Sequence, residues 1–358
     1  MAFLLNYKGI GVDEKVNRWK HGKRIMMGLA MLALALSGCS LKNQGEANPL
    51  NPKGSVAEEQ YWLILLSIGV MVFVMAVVFI LFFYAVVRFR KRPGQTGIPK
   101  QVEGNHKLEI IWTVIPIILL TILAVPTVAY TFKHAEDYSS APPEEVLKIK
   151  VTGHQFWWEF EYPDYDIVTA QDLWIPVGKT VFVELHGADV IHSFWIPGLA
   201  GKTDTTPGVT SKMYFDAKEP GTYLGKCAEL CGAGHALMDF KVIAVPEEEF
   251  NAWVASMTNP PATATEPAAV TGEEVFKAKG CINCHAITPN GASLGPNLNN
   301  FGNRLTVGGY AENTSDWVAK WLINPQKVKN GATMPAIPLT DEEVQALVDY
   351  LASLKNYE

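Results

Sequence analysis

The sequence predicts a multidomain membrane protein that combines a two-helix transmembrane hairpin, an all-β sandwich and an all-α domain. Three observations predict this organisation. The long apolar runs fall within the first 132 residues, short β-type runs begin near Val146, and helical patterns follow a Pro/Ala/Thr-rich stretch at 256–270. A length of 358 residues allows two or three folded units. The net charge of −6 is modest, and the composition does not indicate a nucleic-acid partner.

Residues 1–38 are predicted to be a lipoprotein signal peptide. Basic residues precede a short apolar run at 25–36 and small residues follow it, which is the order of parts in an export signal. The segment LSGC resembles a bacterial lipoprotein cleavage box, so Cys39 is predicted to be the lipidated first residue of the mature chain. An outer N-terminal segment at 39–60 would follow it. The alternative is a short membrane anchor that is never cleaved.

Two longer apolar runs predict transmembrane helices at 61–87 and 110–132. At about 1.5 Å per residue, both can cross a hydrocarbon core about 30 Å thick. The loop at 88–109 is rich in Lys and Arg, whereas acidic residues follow the second run, so the positive-inside rule places this loop in the cytoplasm. A lipid on Cys39 requires the same orientation. Everything after residue 133 is therefore expected on the outer side of a bacterial cytoplasmic membrane.

Residues 146–255 are predicted to form an antiparallel β-sandwich. The runs VLKIKV, TVFVEL and FKVIAV are typical strands, and Pro- and Gly-containing turns separate them. The next stretch, 256–270, contains one charged residue and reads as an extended linker. Its alternative is an ordered strap packed on the β domain.

Residues 271–358 are predicted to form a small all-α domain. Thr271 with Glu274 and Thr340 with Glu343 have the spacing of capping boxes, and a middle helix is expected to begin near Ser315. A domain of this size often needs a prosthetic group to complete its core.

The segment CINCH in this domain predicts covalent attachment of haem c. The thiols of Cys281 and Cys284 would bond the haem vinyl groups, and His285 would be an axial ligand. The alternative is a redox-active disulfide of the thioredoxin type, but that motif belongs at a βα junction and the surroundings here are helical.

Met334 is the predicted second axial ligand of this haem. A His/Met pair raises the reduction potential and suits electron transfer. The segment LGPNL resembles the part of cytochrome c in which a proline carbonyl accepts a hydrogen bond from the ligand histidine, so Pro296 is expected to orient His285. The alternative for Met334 is an ordinary core residue.

The loop at 225–238 combines the thiols of Cys227 and Cys231 with the imidazole of His235 and the thioether of Met238. A disulfide is possible on the oxidising side of the membrane. Zinc is a second possibility, although methionine is a poor zinc ligand. Thiolate, imidazole and thioether on a β-sandwich favour copper, and two thiolates suit a copper pair bridged by both sulfur atoms.

Each copper of such a pair needs a terminal imidazole. His235 supplies one, and the β domain offers His154, His186 and His192 for the other. His186 reads as part of a solvated turn, and His154 as a hydrogen-bonded histidine at the start of an aromatic strand. Because His192 lies in the apolar segment DVIHSFWIP, it is the predicted ligand.

Four segments between about 55 and 257 resemble subunit II of the haem–copper cytochrome c oxidases: LEIIWTVIP, GHQFWWEFEY, DVIHSFWIPGLAGKTDTTPG and CAELCGAGHALM. The resemblance implies a cupredoxin fold for the sandwich and a dinuclear copper centre, CuA, within it. The CuA ligands that the resemblance implies are His192, Cys227, the backbone carbonyl of Glu229, Cys231, His235 and Met238.

The all-α domain makes the chain similar to bacterial oxidases whose subunit II is fused to a cytochrome c domain. The resemblance implies the electron-input subunit of a cytochrome c oxidase. Electrons would pass from a cytochrome c or another haem donor through the chain's own haem c to CuA, and then to haem in subunit I for O₂ reduction. The predicted spans contain no histidine, which agrees with an oxygen-reducing site in a partner. Subunit I, subunit III and membrane lipid are the expected partners.

Three further roles follow from the resemblance. Glu229 matches a carboxylate that helps to hold Mg²⁺ at the border with subunit I; its alternative is a solvent-exposed side chain. Glu109 matches a glutamate at the mouth of a proton channel in the partner, with an interfacial charge as the alternative. Where the family usually has a docking tryptophan that receives electrons, this chain has Phe156.

Phe156, Trp157 and Trp158 are therefore the candidate electron-path aromatics, with sandwich core or domain interface as the alternative. The change to Phe156 fits a haem donor on the same chain better than a soluble cytochrome. Three rival functions remain at the level of sequence. The chain could deliver electrons to a nitric oxide reductase, belong to a quinol oxidase, which lacks these copper ligands, or serve only as an assembly platform.

Overall fold

The structure is a computed structural model that describes residues 26–28, 47–98, 101, 103–258, 267–291 and 294–356. Cys39 and almost all of the predicted signal peptide lie outside the described residues. So does 259–266, the middle of the predicted linker.

Two long helices form the predicted hairpin: α1, Ser55–Arg88, and α2, His106–His134. In each helix, the most apolar stretch of 18 residues has no side chain buried against protein. An apolar surface of this length and extent is stable in lipid rather than in water. Both helices run past the predicted spans 61–87 and 110–132 because the polar residues that flank each apolar run continue the helix.

The end of the hairpin that contains Ser55 and His134 is attached to the β domain. The backbone N–H of Ser55, which has no partner within the helix, donates to Asp216 Oδ1 at 2.6 Å. Glu59 of α1 pairs with Lys133 Nζ at 2.5 Å and with His134 Nε2 at 2.9 Å, both on α2. The two helices are thus tied together where they meet the sandwich.

Ten strands form the β-sandwich, and its two sheets have the orders β3-β2-β1-β5-β8 and β4-β10-β9-β6-β7. The strands are β1 Val146–His154, β2 Trp157–Tyr162, β3 Ile167–Ala170, β4 Asp172–Pro176, β5 Thr180–Gly187, β6 His192–Trp195, β7 Lys202–Thr205, β8 Ser211–Phe215, β9 Gly221–Cys227 and β10 Asp239–Val245. The predicted purely antiparallel pairing is wrong in two places, because β1 pairs with β5 and β4 pairs with β10 in parallel. Several intervening strands separate each of these pairs, which leaves room for the crossover that a parallel pair needs.

Aromatic side chains fill the space between the sheets. Trp158 on β2, Phe194 on β6 and Phe240 on β10 are fully buried, and the rings of Phe194 and Phe240 stack at 4.6 Å. Trp158 packs edge-on against both, at 5.4 and 5.6 Å. Trp158 therefore belongs to the sandwich core.

A helix closes the β domain at its C-terminal end. Helix α3, Glu247–Met257, buries Phe250 and Trp253, and the Trp253 indole stacks on Trp174 at 5.6 Å. The next helix begins at Pro267, so helices occupy both ends of the predicted linker 256–270.

The C-terminal domain is mainly helical, as predicted. Its helices are α4 Pro267–Ala278, α5 Ser315–Ile323, α6 Pro325–Val328 and α7 Asp341–Ser353, and a two-stranded ladder joins β11 Thr306–Val307 to β12 Ala311–Glu312. The predicted start near Ser315 and the Thr340–Glu343 capping box are both confirmed. The predicted capping box at Thr271 is wrong, because α4 begins four residues earlier and Thr271 lies inside the helix.

Candidate copper and haem sites

Two neighbouring strands of one sheet bring the predicted copper ligands together. Cys227 is the last residue of β9, and His192 is the first residue of β6. These two strands pair with each other, in a register that places Phe194 opposite Cys227. The chain then loops out and returns to β10, and the Cys227 N–H donates to the Met238 carbonyl at 3.0 Å, which closes the loop. Cys231 and His235 lie within it. Backbone pairing therefore sets the positions of side chains that are far apart in sequence.

The potential ligand atoms surround a small, mostly buried space. The sulfur atoms of Cys227 and Cys231 are 3.9 Å apart. His192 Nδ1 lies 4.0 Å from the first sulfur, and His235 Nδ1 lies 3.7 Å from the second. Met238 Sδ is 3.7 Å from Cys231 Sγ. Each thiol thus has its own imidazole.

This donor set fits a copper pair better than the other two chemistries. The sulfur separation of 3.9 Å is far longer than the roughly 2.05 Å of a disulfide, and both cysteines are free thiols. Met238 is fully buried beside them, and a thioether is a soft ligand that favours copper over zinc. The Glu229 carbonyl lies 3.2 Å from Cys227 Sγ and can supply an oxygen ligand. The residues present therefore fit the metal that the sequence predicts.

The site favours ionisation of one thiol. Burial raises the pKa of Cys227, but hydrogen bonding with His192 and Ser193 outweighs it and brings the pKa down to about 7. Burial and the neighbouring Cys227 raise the pKa of Cys231. Because copper binds thiolates, its binding would release the protons that the pair still holds.

Two residues that sequence reasoning missed orient these ligands. Asp189 Oδ1 accepts a hydrogen bond from His192 Nε2 at 2.8 Å, which leaves Nδ1 free to face the thiols. Asp189 Oδ2 also accepts from the backbone N–H of Gln155 at 2.7 Å. The Gln155 side chain in turn donates to the Cys231 carbonyl at 2.6 Å. The sequence feature that could have identified Asp189 is its position three residues before the predicted ligand His192.

The other two candidate histidines lie elsewhere. His154 stacks on Trp157 with ring centroids 4.2 Å apart, and its Nε2 has no partner among the described residues. His186 lies on β5, partly exposed. Among the described residues, His192, Cys227 and Cys231 form the group whose possible metal-ligand atoms lie within 4.8 Å of one another. His154 and His186 do not belong to this group.

The two glutamates with predicted roles outside the copper site are both exposed. The Glu229 side chain points to solvent while its carbonyl faces Cys227. Glu109 lies in the first turn of α2, 3.5 Å from His106 Nδ1. Both are accessible to a partner subunit, and their predicted roles stay predictions.

The C-terminal domain contains a cavity of about 370 Å³ that brings together the predicted haem ligands. Cys281, Cys284, His285 and Met334 all line it. His285 Nδ1 donates to the Pro296 carbonyl at 2.9 Å, so Nε2 is free to bind iron, and burial lowers the pKa of the ring. The expected orientation of His285 by Pro296 is thus present.

Two further residues of this cavity were missed by sequence reasoning. Trp321 Nε1 donates to Met334 Sδ at 3.2 Å and holds the thioether in place. The buried guanidinium of Arg304 lines the cavity, and its Nε has no partner among the described residues. An unpaired buried donor is costly, and a propionate of haem would satisfy it. The cavity therefore fits haem in both its ligands and its charge.

The aromatic residues predicted for electron transfer occupy three different environments. Phe156 and Trp157 line the haem cavity, although they belong to the β domain. The Phe156 ring also packs on the copper-ligand loop: a Cβ at Gly234 would lie 2.5 Å from Phe156 Cδ2. Trp158 points into the sandwich core instead, with its ring centroid 5.9 Å from that of His192. Phe156 is thus in contact with both candidate sites.

Three family models match the chain. They describe the transmembrane domain of cytochrome c oxidase subunit II at 52–129, the periplasmic domain of the same subunit at 166–245, and cytochrome c at 269–355. The crystal structure of the periplasmic domain of subunit II of cytochrome oxidase from Bradyrhizobium japonicum is similar, with 36% identity over 31% of this chain and 91% of that chain and a TM-score of 0.30.

Curated relatives match most of the chain. Cytochrome c oxidase subunit 2 of Alkalihalophilus pseudofirmus is 48% identical over 344 residues, which cover 95% of this chain and 99% of that protein. Cytochrome c oxidase subunit 2 of Bacillus subtilis is 46% identical over 354 residues, 94% of this chain and 98% of that protein. Quinol oxidase subunit 2 of Bacillus subtilis is 38% identical over 237 residues, 66% of this chain and 72% of that protein.

Proposed function

Since the chain belongs to the family of cytochrome c oxidase subunit II, we propose that it is the electron-input subunit of such an oxidase. Electrons would pass from a cytochrome c donor through the chain's own haem c to a dinuclear CuA centre, and on to haem in subunit I. The chain is a membrane-anchored component of an oxidoreductase complex and carries a cytochrome c domain. The observation that carries the proposal is the double contact of Phe156, with the haem cavity on one side and the copper-ligand loop on the other.

The chain's own residues would hold the two groups in place. The residues that would hold the copper pair are Cys227, Cys231, His192, His235, Met238 and the carbonyl of Glu229. The shared pair of metals supplies one-electron transfer with little rearrangement of its ligands. Asp189 and Gln155 would limit movement of the ligands, because their hydrogen bonds fix the His192 ring and the Cys231 backbone.

At the haem site, the thiols of Cys281 and Cys284 would attach the group, and His285 and Met334 would bind its iron. Pro296 and Trp321 orient these two ligands, and Arg304 would neutralise a propionate. A quinol oxidase subunit lacks such copper ligands, so their presence favours a cytochrome c oxidase.

Several expectations belong to the same proposal. Cys39 is lipidated, the 88–109 loop faces the cytoplasm, and both redox domains lie on the outer side. Glu229 contributes to an Mg²⁺ site at the border with subunit I, and Glu109 lies at the mouth of a proton channel in that partner. Subunit III completes the complex.

Metal analysis of the full-length chain, produced without its partner subunits, tests the proposal. We expect about two copper atoms and one haem iron per chain, with an electron paramagnetic resonance signal of a mixed-valence copper pair. Cys227→Ser should abolish that signal because it removes one of the two bridging sulfur atoms. The haem c absorption spectrum is the internal control and should persist in the variant. Zinc in place of copper, or the signal of a single copper ion in the unmodified chain, would contradict the CuA assignment.

A further inference from the structure

We propose that the cytochrome domain is held docked on the β domain through an intrachain interface beside the copper-ligand loop, and that Lys329 is the positioning residue of this interface. The inference rests on the proposed function, because the docked face is the one that would transfer electrons. It goes further because the docked fold sets the separation of the haem and copper sites, so that electron transfer does not depend on diffusion of a tethered domain.

Lys329 is the central contact. It lies in the loop that leads from α6 to Met334 and is 2% exposed, which is rare for a lysine. Its Nζ donates to the Phe156 carbonyl of the β domain at 2.6 Å and to the Gly308 carbonyl of its own domain at 2.7 Å. A buried ammonium group is costly unless its donors are satisfied. One of its two acceptors, the Phe156 carbonyl, is within reach only when the two domains are docked.

The packing around Lys329 is close on both sides of the Phe156 ring. A Cβ added at Gly331, two residues after the lysine, would lie 2.9 Å from Phe156 Cε2 and 3.0 Å from Ala233 Cβ. Gly331 has φ +81°, a backbone conformation that favours glycine. The absence of a Cβ also allows the Phe156 ring and Ala233 to approach the backbone closely. The Phe156 ring is therefore enclosed between the copper-ligand loop and the loop that carries Met334.

Two further hydrogen bonds cross the boundary between the two domains. The Val168 N–H, on the edge strand β3, donates to the Pro289 carbonyl at 2.7 Å. The Leu305 N–H donates to Asp172 Oδ2 of β4 at 2.8 Å. Several hydrogen bonds along the boundary fix an orientation, whereas a single contact would allow the domain to pivot.

The docked arrangement predicts slow amide exchange in the unmodified full-length chain. The Val168 and Leu305 amides donate across the domain boundary, so hydrogen exchange followed by mass spectrometry should show protected peptides at both positions. If both exchange as fast as exposed loop amides, the docked arrangement is wrong, whatever any variant does.

Lys329→Met tests the positioning role. Methionine keeps an apolar stem of similar length but cannot donate to the Phe156 carbonyl. We expect exchange at Val168 and Leu305 to rise about tenfold or more, and electron transfer from flash-reduced haem to copper to slow by a similar factor. The matched control is Lys327→Met, which removes an exposed positive charge from helix α6, two residues before Lys329, and should change neither quantity.

The failures of the two ideas are distinguishable. If Lys329→Met binds haem normally and retains both exchange protection and transfer rate, the positioning role is refuted while the proposed function stands. If the unmodified chain shows protected amides but transfers no electrons from haem to copper, the interface stands and the proposed function fails. Should Lys329→Met not retain haem, the exchange measurement on the unmodified chain still decides whether the domains are docked.

Discussion

At the scale of single residues, the copper site depends on side chains that do not themselves face the metal. Asp189 accepts hydrogen bonds from the His192 ring, from the Val190 N–H and from the Gln155 N–H, so one carboxylate connects the segment that leads into β6 with the segment that follows β1. Gln155 then reaches the Cys231 carbonyl. Such supporting partners hold a ligand ring in one tautomer and one orientation.

Asp189→Asn is expected to weaken copper binding about 10- to 100-fold. The amide has the shape of the carboxylate, but its NH₂ group cannot accept, so the hydrogen bond from His192 Nε2 or the one from the Gln155 N–H is lost. Copper competition against a chelator of known affinity, on the full-length chain, measures the change. Asp164→Asn, at an exposed position between β2 and β3, is the matched control and should bind copper as the unmodified chain does. Equal affinity in both variants would show that Asp189 does not support the site.

At the scale of secondary structure elements, β4 and the segment before β11 form a polar contact inside the interface. Asp172 on β4 is 2% exposed and accepts from the Leu305 N–H, next to Arg304. Burial raises the pKa of Asp172 to about 6, although the Leu305 hydrogen bond and the charge of Arg304 oppose it. The carboxyl group is therefore protonated in the folded chain at pH values where the unfolded chain has lost that proton.

This shift predicts that stability falls as the pH rises from about 4 to about 6. In that window the folded state holds a proton that the unfolded state does not, so the free energy of unfolding decreases with pH. The full effect is on the order of 2–3 kcal/mol. Asp172→Asn should flatten this part of the profile, because the amide keeps an acceptor for Leu305 and does not titrate. Thermal unfolding of both proteins between pH 4 and pH 7 measures the difference. Parallel profiles would refute the role of Asp172.

At the scale of the whole molecule, charge and hydropathy set how the chain lies in the membrane. The basic residues of the loop between α1 and α2 predict a cytoplasmic location for that loop. The β domain and the cytochrome domain both follow α2, so they share one side of the membrane. A lipid on Cys39 would anchor the chain on that same side.

Mass spectrometry of the mature protein is expected to find a diacylglyceryl-modified Cys39 at its N-terminus. The reason is that a basic flank, an apolar run and the LSGC segment follow one another in the order found in an export signal. Cys39→Ser should prevent both modification and cleavage, whereas Ser40→Ala should leave both intact. A mature chain that still begins with Met1 would contradict the prediction.

The sequence by itself determined the features whose signal is local. Apolar runs are long enough to cross a bilayer wherever they occur, and the CINCH segment carries two thiols and an imidazole on one short turn. The spacing of Cys227, Cys231, His235 and Met238 within one loop likewise limits the metals that it can bind. The membrane hairpin is therefore predictable from composition and length, and the expectations of haem attachment and of a copper-binding loop rest on spacing within short segments.

Only the tertiary structure decided which distant residues meet. The sequence favoured His192 over His154 and His186 from its apolar surroundings, but the pairing of β6 with β9 is what brings His192 to Cys227. Lys329 and the Phe156 carbonyl are 173 residues apart in sequence, and no periodicity or motif relates them. A contact of that kind depends on how two completed domains pack. For that reason the sequence predicts two separate candidate sites, and the fold reveals that one phenylalanine touches both.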